Sequence, residues 1–576
     1  ILITLRRRRD GGMDGNLQFS TVQSNRIAGY TPSGRIGIRT GRWTLTASGS
    51  GSFTPVAESR FTETREQAGQ PLPFAGRSDS KSRTNYGRGH FSAVFDPTPK
   101  HTAGFDIEYT ERSTHMPTLS RTTLGQTQSD SRYRQHMDGN TLTATANYIW
   151  KIDTLGSQFK LIADYTRYTS DGDNSYHTTT CAPGTLRDSL YESATGSVYD
   201  ILTADAGLTR KLPHGLTLRA GLRYTRNDMA DKSRYAAQTQ GTWLALPEYS
   251  YDQHYTEQIG AAYASLEYSA GRWELSAGLR GEYTSVASQA FGRSYFGLFP
   301  NVSVSRALNA LRTWLLVAQW SRNIERPAFP ALNPARIRIS DYSWQSGNPS
   351  LRPTYIHRFS LTAVWKYRYT LTVGGNLHHD LIREIAHRDA TAPDAVYIRP
   401  ENHYTENHWF VAASVPAKIT RWWNLSVNAV GVMQRIRLNS TDSPATHYLM
   451  FADATCSFTL PAGFFAEAVY RAQSRLYSGN SEVGPRHTLS ATVKKQLFGK
   501  RLTLFCTLSN ITGCDWEFAS LTDGMRRTID TGQAWSGRLW KVGAAWNFRT
   551  GKKFRARTVE SAAETQRKRL VKSTEQ

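Results

Sequence analysis

The sequence predicts an all-β chain that crosses a membrane as an antiparallel up-and-down β-barrel of about 22 strands. Three observations lead there. Apolar residues fall on every second position through most of the chain, short turns alternate with longer polar stretches, and no run approaches the roughly 18 apolar residues of a membrane helix. With 39% apolar and 11% aromatic residues, the chain is neither a disordered polymer nor a disulfide scaffold. No break in composition marks a domain edge between residues 14 and 549, so one barrel over 14–549 is expected.

The strands come first. Leu216, Leu218, Ala220, Leu222 and Tyr224 share one face, opposite Thr217, Arg219, Gly221 and Arg223. Trp273, Leu275, Ala277, Leu279 and Tyr283 oppose Glu274, Ser276, Arg280 and Glu282 in the same way. Segments at 159–165 and 359–365 repeat the pattern. This register puts Leu218, Leu222, Trp273, Leu279 and Trp546 toward lipid, with Arg219, Arg223 and Glu274 toward the lumen.

The connections come next. Ten short turns are read near 40–41, 97–100, 151–156, 212–215, 270–271, 308–310, 366–367, 418–421, 461–462 and 498–500. Eleven longer polar stretches lie between them, at 24–32, 54–86, 113–137, 170–197, 228–253, 287–294, 324–353, 383–393, 438–445, 478–484 and 512–533. Together they join 22 strands, and the asymmetry is that of short periplasmic turns and long extracellular loops. Trp43, Trp150, Trp273, Trp422 and Trp423 beside the turns, and Tyr109, Tyr165 and Tyr224 toward the loops, suit two interfacial girdles. A soluble propeller would instead carry a repeat of about 40 to 50 residues, and none is visible.

The ends carry further expectations. Trp540, Val542, Ala544, Trp546 and Phe548 form one apolar face, alternating with Lys541, Gly543, Ala545 and Asn547. This resembles the closing strand that barrel-assembly machinery recognises. Residues 550–576 read as a basic, solvated periplasmic tail, part of a net charge of +23 from 70 Lys and Arg against 47 Asp and Glu. The arginines at 6–9 follow the apolar start where a secretory leader would have them precede it.

Three phrases stand in order between two strands: Arg322-Asn323-Ile324-Glu325-Arg326-Pro327, then Leu332-Asn333-Pro334, then Gly347-Asn348-Pro349-Ser350-Leu351-Arg352-Pro353. Proline fixes φ and Asn-Pro favours turns, so this stretch is expected to be folded. The series resembles the outer membrane beta-barrel family related to TonB-dependent receptors, of the Bacteroidetes type. Its R-x-I-x-R-P, L-N-P and G-N-P-x-L-x-P phrases are matched here by Arg322, Arg326, Pro327, Asn333, Pro334, Gly347, Asn348, Pro349 and Pro353. The start of a strand at 421–426 and the final hairpin at 500–512 are similar to the family as well. The resemblance implies that residues 1–13 are a remnant of a plug domain and its linker, with the plug itself missing.

Competing chemistry is thin. The four cysteines, Cys181, Cys456, Cys506 and Cys514, form no CxxC pair; a Cys506–Cys514 bridge is weighed against isolated buried thiols, which are favoured. No phosphate-binding, hydrolase or zinc-protease motif occurs, so neither an enzyme nor a cofactor is expected. The best metal candidate is His378 with Asp380 on one face, aided by His387, and it is disfavoured against an ordinary solvated strand end. Basic residues on the lumen face, including Lys160, Arg219, Arg223 and Arg280, would either attract an anion or an acidic plug or simply face water, the second being favoured. They are not clustered with stacking aromatics, which disfavours nucleic acid.

The expected partners are outer-membrane lipid and lipopolysaccharide, the barrel-assembly machinery, an unknown ligand, and TonB with a plug only in the full-length protein. The resemblance implies the barrel of a TonB-dependent receptor-like transporter, taking up a ligand bound by the extracellular loops. A surface-exposed adhesin or scaffold, or an inactive fragment lacking its plug, is the alternative. An emptied barrel is expected to conduct widely and lean toward anions, provided the stretches at 54–86 and 324–353 do not fold inward.

Overall fold

A computed structural model describes residues 11–289, 292–390, 392, 394–513, 515–551 and 558–570. Twenty-two strands close into one antiparallel barrel. In order they are Gly12–Gln23, Ile27–Thr40, Trp43–Gln67, Gln70–Phe95, His101–Leu124, Thr127–Lys151, Gln158–Ala182, Thr185–Lys211, Leu216–Thr239, Tyr251–Ala270, Trp273–Ser288, Gly292–Ala307, Trp314–Glu325, Thr354–Trp365, Tyr369–Arg388, Val396–Lys418, Trp423–Arg437, Ala445–Thr459, Phe464–Gln473, Arg486–Leu497, Leu502–Ser509 and Leu539–Gly551. Each pairs with the next. The first pairs with the last along its whole length, with Gly12 opposite Gly551 and Leu17 opposite Trp546. Closure leaves no edge whose backbone groups would go unpaired in lipid. At the seam, Gly15 lies under the Phe548 ring, where a Cβ would come within 2.2 Å of it, so a glycine is required.

The faces follow the alternation. Leu218, Leu222, Trp273, Leu279 and Trp546 are exposed on the outer surface, while Thr217, Thr225 and Asn227 of the same wall are buried inside. Each outward leucine contributes about 1.5 to 3 kcal/mol when lipid covers it fully. Trp43, Trp150, Trp273 and Trp422 are exposed beside the periplasmic turns. Tyr109, Tyr165 and Tyr224 stand seven or eight residues further along their strands and are also exposed. At about 3.3 Å per residue and a tilt near 40°, that rise is about 20 Å, close to the height of a barrel's apolar band. Outward charge pairs begin just above, as in Arg226 with Asp228 at 2.7 Å and Arg167 with Asp200 at 3.7 Å.

The ten turns fall where the sequence places them, but several polar stretches expected as loops are strands. Trp43–Gln67 and Gln70–Phe95 run through 54–86 to a tight turn at Ala68 and Gly69, and the stretches at 113–137 and 170–197 behave likewise. Polarity marks where lipid ends, whereas the backbone ladder continues wherever neighbouring strands pair. Among the described residues, seven further short strands lie beyond the barrel wall proper. Among them, Trp516–Thr522 and Met525–Gly532 form a hairpin that docks on the upper part of Trp43–Gln67 and on Ser481–Val483.

The lumen differs from expectation. Arg223 pairs with Asp205 at 2.8 Å, Arg280 with Glu282 at 2.6 Å, Arg219 with Glu267, and Lys160 with Glu560 of the C-terminal segment at 2.6 Å. These side chains balance carboxylates rather than lining an open basic channel. The segment at 558–570, expected to be solvated, packs inside the barrel instead, with Ala563 and Arg569 buried. Its small and polar side chains find partners on the polar lumen wall, so burial leaves few of them unsatisfied. Residues 1–10, most of the expected plug remnant, lie outside the described residues, and Gly12 and Met13 already belong to the first strand.

Candidate functional site at the barrel mouth

The stretch between Trp314–Glu325 and Thr354–Trp365 folds inward across the mouth. Its apolar residues drive this: Phe329, Leu332 and Leu351 bury against Tyr199, Ile201, Met229, Tyr255 and Val286, which project from four wall strands. Hydrophobic burial thus holds in the lumen a segment whose overall composition is polar.

The three sequence phrases build its frame. Arg322 donates to the Leu298 carbonyl at 3.0 Å and lies over the Tyr355 ring. Arg326, buried, bonds Glu282 at 2.7 Å and Thr284 at 2.9 Å, with Glu257 at 3.9 Å. Pro327 ends the wall strand, and the backbone then makes one helical turn at Phe329–Leu332. Asn333 donates to Asp231 at 3.0 Å and accepts from the Tyr251 hydroxyl and, across Pro334, from the Ala335 amide at 2.9 Å. The Gly347 amide donates to the Asn333 carbonyl at 3.0 Å and the Asn348 amide to Ala331 at 2.7 Å. A Cβ on Gly347 would lie 2.1 Å from the Asn333 oxygen, so this crossing admits only glycine. Asn348 also donates to the Pro400 carbonyl at 3.0 Å and caps Ser350 across Pro349. Pro353 is buried at the return to the wall.

The tip of the stretch spans the opening. Asp341 accepts from Tyr133 and Thr178 at 3.0 Å each and from Arg338 at 2.6 Å. Two residues on, Ser343–Gln345 pairs parallel with the start of Val396–Lys418, and Ser343 accepts from Arg527 at 3.1 Å. Arg527 is held by Glu63 at 2.8 Å. Burial opposes ionisation of Glu63, but Arg527 and Arg65 outweigh it and keep the carboxyl below its ordinary range. Asp231 shows the reverse: burial pushes it up, and the bonds from Ser197, Tyr199 and Asn333 offset only part of this.

A second element helps to roof the mouth. The hairpin of Tyr369–Arg388 and Val396–Lys418 carries Asp380 at a φ of 57°, where the pairing skips a residue. Beyond this kink, Ala386 and Val396 reach Met525 on the far side. Asp380 bonds Arg352 at 2.7 Å, tying the hairpin to the loop.

The metal candidates part company here. His378 bonds the Glu406 carbonyl at 2.8 Å, Asp380 holds Arg352, and His387 faces Glu401 at 3.0 Å. Among the described residues no cluster of three His, Cys, Asp or Glu is arranged to hold a metal. Cys181, Cys456 and Cys506 are free thiols, and Cys514 lies outside the described residues. Trp540, Val542, Ala544, Trp546 and Phe548 lie on the seam strand, with Trp540, Val542 and Trp546 exposed outward. Sequence reasoning missed the acids that receive the loop, Asp231, Glu257 and Glu282. Their lumen register was readable, but not which distant side chain each would meet.

A closed barrel of this strand number, apolar outside and polar within, is an outer-membrane barrel. The profile of the outer membrane protein beta-barrel family matches residues 150–543, more than half of the chain, and the chain belongs to that family. No curated protein matches. Among solved structures, the siderophore receptor PirA from Pseudomonas aeruginosa is similar at a TM-score of 0.56 and 12% identity, over 95% of this chain and 82% of that one. A ferric enterobactin receptor (PfeA) mutant from the same organism gives 0.59 and 14%, over 93% and 80%. The copper transporter OprC gives 0.60 and 11%, over 94% and 81%. At these identities the likeness is one of fold.

Proposed function

We propose that the protein is the barrel of a TonB-dependent receptor-like transporter, which captures a ligand at its extracellular mouth and admits it past the inward loop at 326–353. The observation that carries this reading is the loop itself: a segment held across the lumen by Arg326, Asn333 and Gly347 is placed to separate outside from inside. Structural similarity to siderophore and copper receptors supports uptake as the activity. A plug domain and TonB, implied by the family resemblance, would supply closure and energy. Lipopolysaccharide would meet the charged outer surface above the tyrosine belt.

The test is uptake by cells expressing the protein in its native context, using ferric enterobactin and Cu(II) as first probes. Accumulation abolished by a protonophore and reduced in Arg326→Ala would support the reading. Accumulation equal to that of cells lacking the protein, for these and a wider ligand panel, would point to a non-transporting surface barrel.

We further propose that Trp540, Val542, Ala544, Trp546 and Phe548 form the signal read by the assembly machinery. Trp546→Ala with Phe548→Ala should then lower the heat-modifiable, inserted fraction far more than a change in the polar tail. Equal insertion would remove this role.

A further inference from the structure

We infer that the C-terminal segment at 558–570 is a latch that runs up the lumen and holds the mouth loop closed, so that events at the periplasmic end reach the extracellular loop. This does not rest on the transport reading, because the latch needs no ligand.

The path is continuous. Val559 lies against Gly104, where a Cβ would approach it to 2.9 Å. Glu560 pairs with Lys160 at 2.6 Å, and the Ala562 amide donates to Asp164 at 2.7 Å. Gln566 meets Asn227 at 3.3 Å, and Arg569 meets Glu257. Lys160, Asp164, Asn227 and Glu257 stand two, six, eleven and thirteen residues above the periplasmic ends of their strands. The segment therefore climbs the wall from the periplasmic rim to the loop.

Its upper end grips the loop directly. Arg569 donates to the Pro327 carbonyl at 2.9 Å, its guanidinium sits 4.2 Å from the centroid of the Phe329 ring, and Leu570 packs on the apolar cluster that seats Phe329, Leu332 and Leu351. Glu257 is shared, since it faces both Arg569 of the latch and Arg326 of the loop. Removing Arg569 leaves Glu257 with one distant cation at 3.9 Å, a carbonyl without its donor and an aromatic face uncovered. A buried carboxylate so exposed to imbalance weakens the seat of the loop that shares it.

The full chain, reconstituted in lipid, provides the test. Two readouts are followed: trypsin cleavage at Arg336 and Arg338 from the extracellular side, and single-channel conductance. Arg569→Glu should cleave roughly tenfold faster or more and conduct more. A second variant covers failure of the first to assemble. In a background with the native cysteines changed to serine, Asp164→Cys with Ala562→Cys can be locked by oxidation, and the locked form should cleave more slowly than its own reduced form. Unchanged cleavage and conductance in Arg569→Glu, or identical rates for the locked and reduced pair, would overturn the latch.

Discussion

Two polar stretches of similar length, 54–86 and 326–353, have opposite fates. The first continues the wall upward as a long hairpin, and the second turns inward and lies across the mouth. The difference is in what each can bury. The hairpin pairs from Trp43 opposite Phe95 to Gln67 opposite Gln70, with register shifts only at 54–57 and 64–66, so most of its backbone is satisfied without leaving the sheet. Five prolines interrupt the loop, and Phe329, Leu332 and Leu351, its members of the buried cluster, have no lipid to face at that height. They can leave water only by entering the lumen. Polar composition therefore reports the distance from lipid, while direction is set by pairing capacity and by a few apolar anchors.

That contrast can be broken from the loop side. Arg326→Ala leaves Glu282 and Glu257 inside the lumen without their loop cation, a cost of about 3 to 5 kcal/mol. The loop should become protease-sensitive while the barrel stays heat-modifiable, and limited proteolysis of reconstituted protein would show this. A barrel that unfolds together with the loop would mean that the two are one cooperative unit.

Leu351→Ala should follow with a smaller loss of about 3 kcal/mol, through the cavity left in the fully buried cluster. Hydrogen exchange should rise across 326–353 and stay unchanged in 54–86. The opposing change belongs to the hairpin. Gly69 has a φ of 76°, and Gly69→Ala should cost about 1 kcal/mol, fraying only the tip and leaving cleavage at Arg336 and Arg338 untouched.

Acid separates the two anchors of the loop with the smallest expected effect. Asp231 has a folded pKa raised above its ordinary 3.8, so its contribution is full below that value and is lost as pH rises through the raised one. Glu63 has a folded pKa lowered from 4.5, so its contribution is present above 4.5 and is lost as pH falls through the lowered one. Falling pH should tighten the backbone around Asn333 and loosen it around Ser343. Hydrogen exchange at the two positions, corrected for intrinsic rates, would check the opposite signs.

The sequence by itself determined the number of strands, their lipid and lumen faces within the bilayer and the ten turns, but not how far the strands run above it, because the first three depend on neighbours in the chain and on a bilayer of fixed thickness. It also marked the loop, since Arg326-Pro327, Asn333-Pro334 and Gly347-Asn348-Pro349 are local backbone instructions. Only the tertiary structure decided where these instructions lead. Asn333 meets Asp231 from 102 residues away, and Arg569 meets Glu257 from 312 away. Such meetings are fixed by the ring of strands, which brings an inward-folded segment and a distant wall strand to one height. Alternation can name the face of a residue, but no period in a sequence encodes the partner across a lumen.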